Sequence, residues 1–259
     1  MNENKFNEKK ARELFDEKKL DELWAYVSSA IGIDSAATGM AGSCLEFGYG
    51  VEPDAKKAFE LYLKAAEMGN ADAQNVVGTS FLIGELTERN IREAMYWFTK
   101  AAEQGHALAQ YHLGMCCSAE DNPYPDHVKA FEWYRKSAEQ GCDMAQYHLA
   151  EAYHRGIGTN IDYHKAVEWY SKAAEQGHIP AQCCLADLLY SGTDTDSPDP
   201  EKAFGWYLKA AEQGSKTAMY NVGACYELGD GVGKDLDKAH EWYNRVRAKK
   251  PGTSPRRNQ

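Results

Sequence analysis

Trp169-Tyr170-Ser171-Lys172-Ala173-Ala174-Glu175-Gln176-Gly177 decides the fold. It returns with small changes as Trp97 to Gly105, Trp133 to Gly141 and Trp206 to Gly214, and Trp242 continues the tryptophan column. An earlier copy ends at Ala66-Glu67-Met68-Gly69, and the closing glycines are spaced 36, 36, 36 and 37 residues apart. A fixed period of this length marks stacked units, each too small to bury its own apolar face, that close a shared core between neighbours. A charged residue followed by alanine opens the same helix in every copy: Lys57-Ala58, Glu93-Ala94, Lys129-Ala130, Lys165-Ala166, Lys202-Ala203 and Lys238-Ala239. The repeats read as 35–70, 71–106, 107–142, 143–178, 179–215 and 216–250.

Each repeat holds two helical patterns. In the third, Ala109, Leu113, Cys116 and Cys117 fall at i, i+4, i+7 and i+8, one face of a helix A. Helix B spans about 128–140 and turns Ala130, Phe131, Tyr134 and Ala138 inward, and Gly141 supplies the left-handed residue that ends it. A small residue stands mid-way along every helix A: Gly42, Gly78, Gly114, Ala150, Ala186 and Gly223. Glycine there costs about 1 kcal/mol against alanine, so close approach of helix B is the expected reason. All eight prolines fall at loops, ends or, for Pro180, in a first helical turn.

The chain's ends differ from its middle. Residues 5–31 look helical through Phe6, Leu14, Phe15, Leu20, Leu23, Trp24 and Val27 but match the repeat poorly, so residues 1–34 are expected to form an N-terminal helical cap. The polar stretch 251–259 is expected to be a disordered tail. The predicted fold is all-α: a right-handed α/α superhelix, or solenoid, of about six helix pairs.

Composition narrows the function classes. Hydrophobic residues make up 43% and charged residues 26%, and the formal net charge is -10. That balance speaks against nucleic acid, which asks for a basic stripe, and suits a basic protein partner by steering. A solvated acidic surface is the plainer account of the same charge. No secretory signal and no run of about 20 apolar residues is found, so no membrane role and a cytoplasmic location are expected. The seven cysteines include two adjacent pairs and no C-x-x-C, which fits reduced, buried thiols.

The loops between helices A and B carry a further signature. The first repeat reads Phe47-Gly48-Tyr49-Gly50-Val51-Glu52-Pro53-Asp54, the fourth Arg155-Gly156-Ile157-Gly158, and the sixth Leu228-Gly229-Asp230-Gly231-Val232. With the W-Y-x-K-A-A-E-Q-G ending, the chain over residues 35–246 resembles the Sel-one-like repeat (SLR) family, relatives of tetratricopeptide repeats. It departs from that pattern where Gly84 lacks a second glycine and where Ser118 to Asp121 lacks both. The resemblance implies a non-catalytic adaptor or scaffold in signalling, quality control or bacterial interaction, with a bacterial regulatory, virulence-associated or toxin-immunity protein as one form. It also implies that the A helices line a concave face.

Counting 100° per residue from the Ala109 column places three columns of helix A away from the core. They contain Tyr111, Tyr147 and Tyr220; then Met115, Glu151 and Asp187; then His154 and Tyr190. Tyrosine offers a large contact area with a hydroxyl and few rotors to freeze, so these eight residues are the candidate protein-binding groove. The competing account is that some of the tyrosines pack between helices. His148, Glu151, His154 and Asp187 are the residues that a peptide or small-ligand site, or a weak hydrolase, would use. His112, His148 and Cys184 share a column, but zinc needs ligands converging on one point whereas packed helices stand about 8–10 Å apart. No metal or cofactor is expected, and no catalytic motif is present.

Overall fold

The computed structural model describes residues 6–120, 122–192 and 197–247. These residues form fourteen α-helices. The expected tail, 251–259, lies outside the described residues.

The chain divides into two compact units, residues 1–142 and 143–259. The first holds α1 (Glu8–Asp16) and α2 (Leu20–Ser28), then three A/B pairs. These are α3 (Ser35–Phe47) with α4 (Ala55–Glu67), α5 (Ala71–Ile83) with α6 (Ile91–Glu103), and α7 (Ala107–Ser118) with α8 (His127–Glu139). The second unit holds α9 (Asp143–Arg155) with α10 (Tyr163–Glu175), α11 (Ile179–Ser191) with α12 (Pro200–Glu212), and α13 (Lys216–Leu228) with α14 (Leu236–Arg247). Within each unit, helix A packs on its own helix B, and that helix B packs on the next helix A. The expected helical run over 5–31 is two helices, because Lys18 takes a left-handed φ of 57° between them.

Local chemistry starts five of the six B helices in the same way, while Asn90 caps α6. The carboxylates of Asp54, Asp126, Asp162, Asp199 and Asp235 accept the backbone N–H three residues on, at 3.0 Å in each. The lysine at that third position returns its ammonium to the same aspartate at 2.8–3.3 Å. In these five repeats the lysine before the alanine is thus part of a cap, though an exposed ion pair contributes little by itself.

The mid-helix glycines are explained by aromatic rings. A methyl group on Gly42, Gly114 or Gly223 would stand 3.0, 2.7 or 2.6 Å from the ring of Tyr62, Tyr134 or Tyr243. On Gly78 it would stand 2.7 Å from Phe98. The second loop glycine also allows a close approach. Gly231, at φ 68°, lies so near the Pro200 carbonyl that a Cβ would fall 2.0 Å from its oxygen.

Glutamines tie successive repeats. Buried Gln74, Gln110 and Gln182 donate Nε2 to the carbonyls of Ala66, Ala102 and Ala174 at 3.0–3.1 Å. Their Oε1 atoms accept from Gln104, Gln140 and Gln213, each at 2.8 Å, and Gln176 binds Gln146 likewise. The ending E-Q-G therefore does more than stop a helix. Its glutamine carries a hydrogen bond 30 or 31 residues back.

Candidate protein-binding face

The tyrosine at the eighth position of helix B, which follows Leu61 in the first repeat and a tryptophan in others, organises the helix A beside it. Tyr62 donates its hydroxyl to Glu46 at 2.6 Å, Tyr207 to Asp187, and Tyr243 to Glu227 at 2.7 Å. Tyr134 and Ser118 share a hydrogen bond at 3.3 Å. Burial pushes the Tyr134 and Tyr243 hydroxyls up to about 12 and that of Tyr207 higher still, so each stays a proton donor at neutral pH. Repeat two has Phe98 here and no hydroxyl.

In the first unit the structure covers one of the expected groove residues. Tyr111 is only 8% exposed, with ring centroids 5.3 Å from His112 and 6.1 Å from Tyr134. Met115 is half-buried.

In the second unit the remaining six fall into two groups. Around Tyr170 stand Tyr147 at 5.8 Å and His154 at 6.2 Å between ring centroids. Tyr147 also lies 4.9 Å from His178. Glu151 lies 3.3 Å from His148 Nδ1 and 3.1 Å from Arg155. The hydrogen bond from His148, then the charges of Arg155 and His148, outweigh burial and hold its carboxyl below the usual range. A carboxylate held ionised is not the general acid of a two-carboxylate hydrolase, which pairs one raised carboxyl with one ionised partner. Nor, among the described residues, does any group of three or more His, Cys, Asp or Glu side chains assemble that could hold a metal.

The other group is Asp187 and Tyr190 on α11 and Tyr220 on α13. Asp187 accepts from Tyr207, and Tyr220, 58% exposed, has its ring 5.3 Å from Tyr243, with Leu228 64% exposed at the end of α13. Tyr190, 39% exposed, donates its hydroxyl to Asp230 Oδ2 at 2.7 Å. A cleft of about 150 Å³ lies here, lined by Tyr190, Tyr207, Asn221, Ala224, Leu228 and Asp230 among others. Sequence counting missed Leu228 and Asp230 because both belong to the G-D-G turn signature, which reads as loop chemistry. It also missed an apolar groove of about 490 Å³ in the first unit, where Phe15, Phe47 and Tyr49 meet Leu23 and Met40.

The tryptophans act in the core. Trp169 and Trp206 pack against the cluster around Tyr170. Lys172 and Lys209 cover their outer faces at 3.8 Å from the ring centre, and Arg245 covers Trp242 at the same distance.

Helix pairs with filled inner faces define a helical-repeat scaffold. A family model described as the Sel1 repeat matches residues 34–70, 71–106, 107–142, 143–178, 179–215 and 216–245, and the chain belongs to this family. Sel1 repeat proteins mediate protein–protein interaction. The chain is 32% identical to a Sel1 repeat protein of Oxalobacter formigenes, covering 97% of this chain and 100% of that one with a TM-score of 0.81. It is 31% identical to a protective antigen of uropathogenic Escherichia coli with an SLR fold, with a TM-score of 0.80. That match covers 88% of this chain and 49% of the antigen, so the chain spans about half the antigen's length. An immunity protein of Pseudomonas aeruginosa shares the fold at 18% identity and a TM-score of 0.50, over 81% of this chain and 83% of that one. Comparison with curated proteins gives no match. Among the described residues no helix is long and apolar enough to cross a membrane.

Proposed function

We propose that the chain is a non-catalytic protein-binding scaffold whose A helices meet the partner, with the face of α11 and α13 at the centre of the contact. The observation that carries this reading is the exposure of Leu228 and Tyr190 in the lining of one cleft, with exposed Tyr220 on the same helix as Leu228. Aromatic and aliphatic side chains left open next to a cleft are the usual anchors of a protein interface. Membership of the Sel1 repeat family supports it, and so does the likeness to a bacterial antigen. A bacterial regulatory, virulence-associated or immunity role fits within the same reading.

The test is affinity capture from host lysate with the wild-type chain and with a Tyr220→Ala, Leu228→Ser double variant, read by mass spectrometry. Both substituted residues are exposed, so the variant should melt with the wild type. A stoichiometric partner lost in the variant supports the reading. Undiminished capture of that partner removes α13 from the interface.

A further inference from the structure

We infer that the cleft between α11 and α13 receives an arginine side chain from the partner protein, held between Asp187 and Asp230. This deepens the scaffold reading and rests on it.

Three observations lead there. The first is charge without a counter-ion. Asp54, Asp126, Asp162, Asp199 and Asp235, which cap B helices, are each matched by a lysine three residues on. Asp187 and Asp230 have no lysine or arginine within ion-pair distance among the described residues, and the chain as a whole carries a net charge of -10. The second is orientation. Tyr207 donates to Oδ1 of Asp187, and Tyr190 donates to Oδ2 of Asp230. Both carboxylates are thereby fixed, while Asp187 Oδ2 and Asp230 Oδ1 have no donor among the described residues. The third is shape. The cleft of about 150 Å³ is walled by Ala224, Leu228 and the rings of Tyr190 and Tyr207. That is well below the roughly 300 Å³ at which drug-sized ligand pockets begin, and it suits a single side chain.

An apolar floor with the Asp230 carboxylate in its lining, and the Asp187 carboxylate one hydrogen bond beyond it on Tyr207, matches a side chain with a methylene stem and a cationic head. Arginine fits better than lysine. Its planar guanidinium stacks on a tyrosine ring and offers several donors in a fixed fork, so one head can serve two separate carboxylates. The acidic surface would also steer such a segment toward the cleft before contact.

The test uses the full chain, labelled with ¹⁵N, and three blocked tripeptides, N-acetyl-Ala-X-Ala-amide, with X arginine, lysine or citrulline. The arginine probe is expected to shift the amides of Asp187, Tyr190, Ala224, Leu228 and Asp230 in a saturable way. Citrulline keeps the shape and loses the charge, and should bind about tenfold more weakly, as expected when one charge-assisted hydrogen bond is lost. An Asp187→Asn, Asp230→Asn variant keeps an oxygen to accept each tyrosine hydroxyl, so it should fold and fail to bind. Ala224→Leu fills the cleft with both charges intact and should fail as well. Equal binding of arginine with lysine or citrulline, or shifts elsewhere on the chain, would overturn the inference. Capture of a partner that survives the double Asn variant but is lost with Tyr220→Ala, Leu228→Ser overturns this site alone and leaves the scaffold standing.

Discussion

Gln213 donates its side-chain amide to Oε1 of Gln182 at 2.8 Å, across 31 residues of sequence. Gln182 in turn donates to the carbonyl of Ala174, at the end of α10. One buried amide thus satisfies a helix end behind it and holds the helix end ahead of it. Replacing Gln182 by Leu leaves the Ala174 carbonyl without that donor inside the stack, and should cost about 2 kcal/mol in urea unfolding. Gln213→Ala removes only an exposed partner whose place water can take, so its cost should stay below about 1 kcal/mol. A double-mutant cycle isolates the pair.

Two glycines within helices should respond in opposite directions to alanine. A methyl on Gly114 meets the Tyr134 ring at 2.7 Å, whereas a methyl on Gly205 meets nothing within 4 Å. Gly205→Ala should stabilise by up to about 1 kcal/mol through helix propensity. Gly114→Ala should destabilise by more than about 1 kcal/mol because overpacking exceeds that gain. Thermal melts of the two variants check both signs.

These same residues show how far sequence reading reaches. The period places Gly114 and the tryptophan without ambiguity, because four copies carry the glycine, two an alanine in its place, and five copies carry the tryptophan. Tyr111 was counted outward by angle along α7 and is buried, because the rings of Tyr134 and His112 lie against it. Angular counting on one helix carries no information about side chains that reach it from the neighbours. The bonds from Tyr207 to Asp187 and from Tyr190 to Asp230 join residues 20 and 40 apart. Neither spacing is a helical one, so no periodic pattern announces them.

His112 should make the fold sensitive to acid. Its Nδ1 lies 2.9 Å from the Asn75 side-chain oxygen, and its ring lies 5.0 Å from Phe98. Burial, with a smaller contribution from His106, pushes its pKa down from 6.5 to about 4. The unfolded chain therefore takes up the proton more readily than the folded one. The contribution of His112 is full above about pH 6.5 and is lost as pH falls toward 4, amounting to about 2 kcal/mol at pH 5. Urea titrations at pH 7.5 and pH 5 should show a smaller difference in His112→Gln than in the wild type.

The position of a tryptophan in the array should set its weight. Trp169 on α10 packs against the cluster that holds Tyr170 and residues of α11, whereas Trp242 belongs to the last described helix. Both are half-buried. Trp169→Ala should cost about 3 kcal/mol and Trp242→Ala roughly half that. Equal shifts in denaturation midpoint would contradict nearest-neighbour stacking within the second unit.

The cysteines should behave as packing groups. Burial pushes the thiols of Cys44 and Cys184 up to about 11, which suppresses the thiolate that reacts. Labelling with a disulfide reagent at pH 8 should be slow at both sites in the native protein and fast after unfolding. Rapid native labelling at either site would indicate local opening of its helix.

The inward-facing Gln182 binds the Ala174 carbonyl and Gln213, and neither it nor Tyr207 bonds to the exposed Tyr220 or Leu228 of α13. A change at Tyr220 or Leu228 therefore need not disturb the ties that keep α13 in place. In an ancestral lineage, one copy could be duplicated, lost or recoloured on its outer side while its neighbours kept their own inherited specificity. Target recognition in such a chain can be rewritten one helix pair at a time, like replacing a single letter in a word.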